Sequence, residues 1–378
     1  MQQPRFSLWS RNLVLAALLA LLLFAAGCEW SSLLDDDEND DDIDDNTPPA
    51  TETNVPGLSV AVSDSEFDTT LADVRNASGN RANTETIATV DHQANANSVN
   101  RDLRPTTVIL FDAPNRSAPL IAADPRVALD LPTRVLIYRD GTGASDNDNN
   151  GFGAGTGSDT ANGNVAVAYT NTAYLDARYD LDDAEDGTLD ALADDLQAIA
   201  SEATGDNPSN GAASGVSDGE GIESVTGDND FTTTLNQLTA AINARDNLTL
   251  METVDFQARG VSRGLNPSTL FIFGNPEVGT QFMRATQTAG VDLPQKMLVA
   301  ADDSGTVTIY YNDPDYIADR HDIDNREEQV DAVAMLLADL ATEAGGTGTA
   351  PGGVTGSDGS MGSSGTTNAT STESAPVP

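Results

Sequence analysis

Residues 67–94 and 231–258 align without a gap, FDTTLADVRNASGNRANTETIATVDHQA over FTTTLNQLTAAINARDNLTLMETVDFQA. The likeness continues: LRPTTVILFDAPNRSAPLI from Leu103 matches LNPSTLFIFGNPEVGTQFM from Leu265, LDLPTRVLIY matches VDLPQKMLVA, and VAVAYTNTAYLDARY matches the later TIYYNDPDYIADRH. Each copy then ends in one helix-like segment, LDALADDLQAIASEA or VDAVAMLLADLATEA. Collinear likeness over a whole domain length marks a tandem duplication. The fold must therefore be one that a single copy can close and that two copies can present side by side.

Within a copy the pattern reads strand, helix, two strands, a short helical turn, two strands, helix. In the second copy, apolar alternation and turn residues place strands at 222–226, 249–256, 268–274, 296–301 and 306–311, the last two joined by the hairpin turn DDSG. Phe231, Leu235, Leu238 and Ile242 recur at helical spacing, and a final helix is expected over 327–342. Helices on one face of a mainly antiparallel sheet make an α+β unit. The first copy differs by an insertion over residues 140–163, DGTGASDNDNNGFGAGTGSDTANG, expected to be a surface loop. A Gly-, Ser- and Asn-rich linker, 205–220, is expected to be flexible.

The organisation is therefore a leader over 1–27, a tether over 28–55, a first repeat over 56–204, the linker, a second repeat over 221–345, and a Gly-Ser-Thr tail over 346–378 expected to be disordered. The leader has Arg5 and Arg11 before an apolar run, Leu13 to Ala26, that is shorter than the about 20 residues a membrane-spanning helix needs. It ends in FAAGC, similar to the cleavage box of bacterial lipoproteins, and Cys28 is the only cysteine in the chain. That resemblance implies acylation of Cys28, by palmitate among other chains, and a membrane-lipid anchor. Glu29 rather than aspartate follows, which favours the outer over the inner membrane of the cell envelope. The run DDDENDDDIDD after the anchor repels itself and holds the folded part away from the bilayer.

The net charge of −42 argues against nucleic-acid partners, since such a surface repels phosphates. Only one lysine, Lys296, and two histidines, His92 and His321, are present, so no ordinary zinc site can be built. No cofactor is expected. DNDNNG resembles half of a calcium loop through Asp146, Asp148 and Asn150, but its twelfth position is Gly157, leaving a polar loop as the simpler reading.

The motifs FGNPEVGTQFM, GVDLPQKMLV and YYNDPDYIADRH together resemble the domain of unknown function 302 family, over nearly all of residues 57–345. The resemblance implies a β-α-β4-α fold of the TATA-binding-protein-like kind in each copy, and no established activity. Members of that family commonly carry histidine in an Asp-His pair and in a closing Arg-His. Here the first copy has Asp91-His92 but Arg178-Tyr179, and the second has Asp255-Phe256 but Arg320-His321. Each copy keeps the histidine the other lost.

Candidate ligand-binding residues are Gly274, Asn275, Gly279 and Thr280 of the GNPEVGT turn, with Tyr311, Tyr316, Arg320, His321 and His92. The turn could present backbone amides to an anion, or simply serve as a capped helix start. The turn and the Arg-His element are expected to face one cleft, and the two histidines could share a composite site if the repeats pack as a pseudo-dimer. The resulting reading is a lipid-anchored envelope protein, a non-enzymatic binding module for a small molecule or an envelope-protein partner. The alternatives are an enzyme using His321 or His92 as acid or base, and a structural scaffold without a site.

Overall fold

The computed structural model describes residues 54–140, 163–260 and 263–346. The leader, Cys28, most of the tether, the insertion with Asp146, Asp148 and Asn150, and the tail beyond Gly346 lie outside these residues. The first repeat has strands β1 (Leu58–Ser63), β2 (Glu85–Asp91), β3 (Thr106–Asp112), β4 (Thr133–Arg139) and β5 (Val165–Thr170), and helices α1 (Phe67–Gly79), α2 (His92–Ser98), α3 (Pro114–Ala123), α4 (Thr172–Arg178) and α5 (Thr188–Thr204). A two-residue strand, β6 (Ser209–Asn210), extends its antiparallel sheet to the order β2-β3-β4-β5-β1-β6. The second repeat has β7 (Ile222–Thr226), β8 (Thr249–Asp255), β9 (Ser268–Gly274), β10 (Gln295–Ala301) and β11 (Val307–Asn312), ordered β7-β11-β10-β9-β8 and also antiparallel. Its helices are α6 (Phe231–Asn243), α7 (Phe256–Arg259), α8 (Pro276–Ala285), α9 (Pro314–Arg320) and α10 (Glu327–Gly345). Both copies are thus the expected β-α-β4-α unit, with short helices in the connections.

Local chemistry sets these elements. Asp230 caps α6 by accepting from the Thr233 amide, and Thr234, Leu238, Ala241 and Ile242 face inward at helical spacing. Glu327 and Glu328 sit in the first turn of α10, where the helix dipole favours anions. Val330, Val333, Leu337, Leu340 and Ala344 form its buried stripe, which packs on α6. The helix runs on to Gly345 because that stripe still has Val225 and β7 to cover.

Antiparallel sheets commonly leave one face wet and so alternate apolar with polar residues. The central strands here do not: β9 and β10 are buried along nearly their whole length. Their alternate residues serve two cores. Phe271, Phe273, Met297 and Val299 join the core beneath α6 and α10, whereas Leu270, Ile272, Leu298 and Ala300 join the core built mostly by the first repeat. The contacts between copies are reciprocal. The 3-10 turn Pro125–Leu129 lies against β10 and β11, and the equivalent turn Gln287–Val291 lies against β4, β3 and β5. Likewise α2 meets α8 and α7 meets α3.

The linker departs from its composition. Instead of hanging free it closes the open edge of β1: the Gly57 amide donates to Ala212 O at 3.0 Å, the Gly211 amide to Leu58 O at 3.0 Å, and Ser59 Oγ to Asn210 Oδ1 at 2.8 Å. An edge strand with unpaired amides is a liability, and this segment covers it. Gly211 is needed there, because a Cβ would sit 2.4 Å from Leu58 O.

Candidate functional site

Both copies carry an aspartate before a Leu-Pro and a cation two residues after it: Asp130 with Arg134, Asp292 with Lys296. The 3-10 turns deliver these aspartates to the boundary between the repeats, where all four side chains are buried. Asp130 accepts from Arg134 Nη2 at 2.6 Å, Arg178 Nη1 at 2.9 Å and Tyr179 OH at 2.7 Å. Asp292 accepts from Arg320 Nη1 at 2.6 Å and pairs with His321 Nε2 at 2.7 Å. Bonds also cross between copies. Arg178 donates to Gly221 O at 2.9 Å and Asn312 Oδ1 at 3.1 Å, and Arg320 donates to Pro56 O at 3.0 Å and Thr170 Oγ1 at 3.3 Å. Arg134 Nη1 lies 3.7 Å from Asp292, and Lys296 Nζ 3.9 Å from Asp130.

Aromatic rings complete this charged axis. The Arg178 guanidinium lies 4.7 Å from the centre of the Tyr316 ring, and that of Arg320 lies 4.0 Å from Tyr174. The two hydroxyls meet at 3.1 Å. Burial pushes both aspartates up, but the arginines outweigh it and hold each below the usual carboxylate range. The change from Arg-His to Arg-Tyr now has a physical reading, since Tyr179 OH and His321 Nε2 each reach their own aspartate at the same 2.7 Å. With Nε2–H donated to Asp292, His321 Nδ1 is left to accept from Thr288 Oγ1 at 3.0 Å. The order Thr288, His321, Asp292 has the connectivity of a nucleophile, base and orienting acid, but all three are buried and none lines the cavity described next.

That cavity, of about 50 Å³, lies at the start of α8. Asn275 caps this helix by accepting from the Glu277 amide at 3.0 Å, Pro276 takes its first position, and Thr280 Oγ1 donates to Pro276 O at 2.6 Å. The turn is a capped helix start with its own carboxylate, Glu277, in the first turn, an arrangement that does not suit an anion. Gly274 and Gly279 leave room, for a Cβ at Gly279 would find nothing closer than Met283 Cε at 3.9 Å. The far wall comes from the other copy: His92, at the start of α2. Its Nε2 is buried and has no hydrogen-bond partner among the described residues, while the ring bonds the Gly290 backbone. Burial lowers its pKa to about 4, against a weaker upward pull from the Gly290 bond.

The family described as "Domain of unknown function DUF302" matches residues 58–145 and 223–341. The chain belongs to the DUF302 family. Two curated proteins are also similar to it, each 39% identical over 92 residues and 24% of this chain. They are the fluoride-specific ion channel FluC 1 of Brucella suis biovar 1 (strain 1330), of which 32% is covered, and FluC 1 of Brucella abortus biovar 1 (strain 9-941), of which 30% is covered. This DUF302 chain thus spans about a third of the length of those relatives. Among solved structures, an uncharacterized conserved DUF302 protein from Bacillus stearothermophilus is similar at 16% identity and a TM-score of 0.31, over 33% of this chain and 98% of that one.

The candidate residues of the DUF302 repeats divide. Gly274, Asn275, Gly279, Thr280 and His92 come together around the cavity. Tyr316, Arg320 and His321 belong to the charged axis, so the turn and the Arg-His element do not share one cleft. Tyr311 packs in the core of the second sheet. The axis residues Asp130, Arg134, Asp292 and Lys296 escape a reading that takes charges as solvated. The signal was nevertheless present: both copies set a charge on each side of an apolar Leu-Pro, at the border of a strand with no polar face.

Proposed function

We propose that this DUF302 chain is a lipid-anchored binding module of the cell envelope, and that the cavity between His92 and the Gly274–Thr280 turn receives a small ligand. One observation carries the binding role. Residues from both copies converge on an apolar hollow in which a buried imidazole nitrogen lacks a partner, the kind of site that small-molecule pockets present. The anchor rests on the FAAGC box and Cys28. An acid–base role for His321 finds less support, because its ring is buried and does not line the cavity.

Two experiments test the two halves of this reading. Cells grown with labelled palmitate should incorporate it into the wild-type chain and not into Cys28→Ser, which should leave the outer-membrane fraction; equal labelling of both removes the anchor. For the cavity, a metabolite panel is screened by thermal shift in high salt with Gly279→Leu as a blocked control. Leucine favours the helix over glycine by up to about 1 kcal/mol, so this variant should melt no lower than wild type while losing the ligand-induced shift. Shifts that survive in Gly279→Leu place binding elsewhere.

A further inference from the structure

The cavity is one of a pair that the duplication supplies, and its counterpart beside Asp112, Ala113 and Ser117 is much the smaller, about 10 Å³ against about 50 Å³. In its counterpart, Phe256 stands where His92 does, and Asp112, Ala113 and Ser117 stand where Gly274, Asn275 and Gly279 do. That place is narrowed and clasped: Arg259 Nε, three residues after Phe256, meets Asp112 Oδ2 at 2.6 Å, and its Nη2 meets Glu85 at 3.0 Å. The first copy therefore keeps the histidine and the second keeps the turn because these two, and not the two elements of either copy, face each other.

The surviving site has a definite polarity. The bond to Gly290 favours the protonated ring, which marks the Gly290 carbonyl as its acceptor. Since Nε2 has no partner, Nδ1–H makes that bond, and Nε2 is left as a lone pair. Of the polar side chains in the lining, those of Asn275 and Thr280 are already engaged at the helix start, and those of Asn95 and Gln295 are uncharged amides. The remaining walls are chiefly apolar, among them Met251, Phe273, Met283 and Leu293, and none carries a formal charge at neutral pH. An ammonium or a carboxylate entering here would lose hydration with no counter-charge to meet. A donor without charge would satisfy the lone pair and leave the apolar walls dry. The volume exceeds the roughly 10–15 Å³ that one water requires and is about a third of the ~150 Å³ of a cavity that encloses benzene, so it takes the donor edge of a small ring and leaves the rest of the ring at the mouth.

We infer that the ligand is a small uncharged molecule, apolar over most of its surface, that presents one N–H or O–H donor to His92 Nε2. This rests on the cavity being the binding site, as proposed above. Pyrrole and furan are suitable probes, being rings of one shape of which only pyrrole has the donor. The chain contains two histidines, so ¹⁵N-histidine labelling of the full chain gives two ring systems, and His92→Phe assigns them by deletion. Pyrrole should bind and move the His92 Nε2 resonance, whereas furan should not move it. The pyrrole-to-furan affinity ratio should fall about tenfold in His92→Phe, the worth of one hydrogen bond. Phenylalanine already occupies the equivalent Phe256 position, and His92→Leu serves if that variant does not fold. A ratio of one in the wild type, or a ratio unchanged by either substitution, overturns the inference. Binding of both probes that persists in Gly279→Leu, or binding of neither at millimolar concentration, instead overturns the cavity as the site.

Discussion

Asp130→Ala is expected to cost the fold about 3–5 kcal/mol, because it strips the counter-charge from cations that stay buried. Arg178 and Arg134 each lose a direct bond, and Lys296 loses its nearest carboxylate. The remaining aspartate cannot compensate, since Asp292 lies 3.7 Å from Arg134 and is itself engaged by Arg320 and His321. Urea unfolding at neutral pH and high salt measures the loss. A surface pair offers the internal comparison: Glu202, half exposed beside Arg81, should cost no more than about 1 kcal/mol when replaced by alanine. If the two variants lose equally little, the axis does not hold the repeats together.

Acid should also weaken the protein, by about 3 kcal/mol from His92 alone once the pH has fallen to about 4. The imidazole titrates near 6.5 when unfolded and near 4 when folded, so between those values the unfolded chain binds the extra proton. Stability is complete above pH 6.5 and falls as the pH drops toward 4. His321, also held below its ordinary value by burial, adds in the same direction. Below the ordinary carboxylate range Asp130 and Asp292 extend the loss, their folded values being depressed as well. Protonation of surface carboxylates relieves repulsion in a chain of net charge −42 and opposes this trend, so the comparison belongs in high salt, where that repulsion is screened. Urea midpoints from pH 7.5 to 4.5 should fall less steeply in His92→Phe than in the wild type. Parallel slopes would mean that His92 is not buried as a neutral ring.

The sequence carried the fold further than it carried the site. Strands at Ile222–Thr226 and Ser268–Gly274 follow from alternation and flanking turns, and α6 from its apolar spacing, because these patterns are local. The apolar run LFIF within β9 hints that its second face is also covered, yet periodicity cannot say by what. The linker read as loose because its glycines and serines offer no apolar side chains to bury, although its backbone had an edge strand to pair with. His321 and the turn looked like neighbours because they follow one another along one copy. The actual neighbour of the turn comes from the other copy, at a separation no local pattern reaches.

Joining the two copies in one chain has an evolutionary consequence. In a symmetric homodimer every substitution is made twice, so a residue that seals one groove seals both. Covalent fusion lifts that constraint. One groove can gain an Arg259–Asp112 clasp and narrow while the other stays wide, and a tyrosine can replace a histidine on one side of the shared axis without being tested on the other. Divergence between the halves of such a protein is thus a record of specialisation, to be read across the halves rather than along either one.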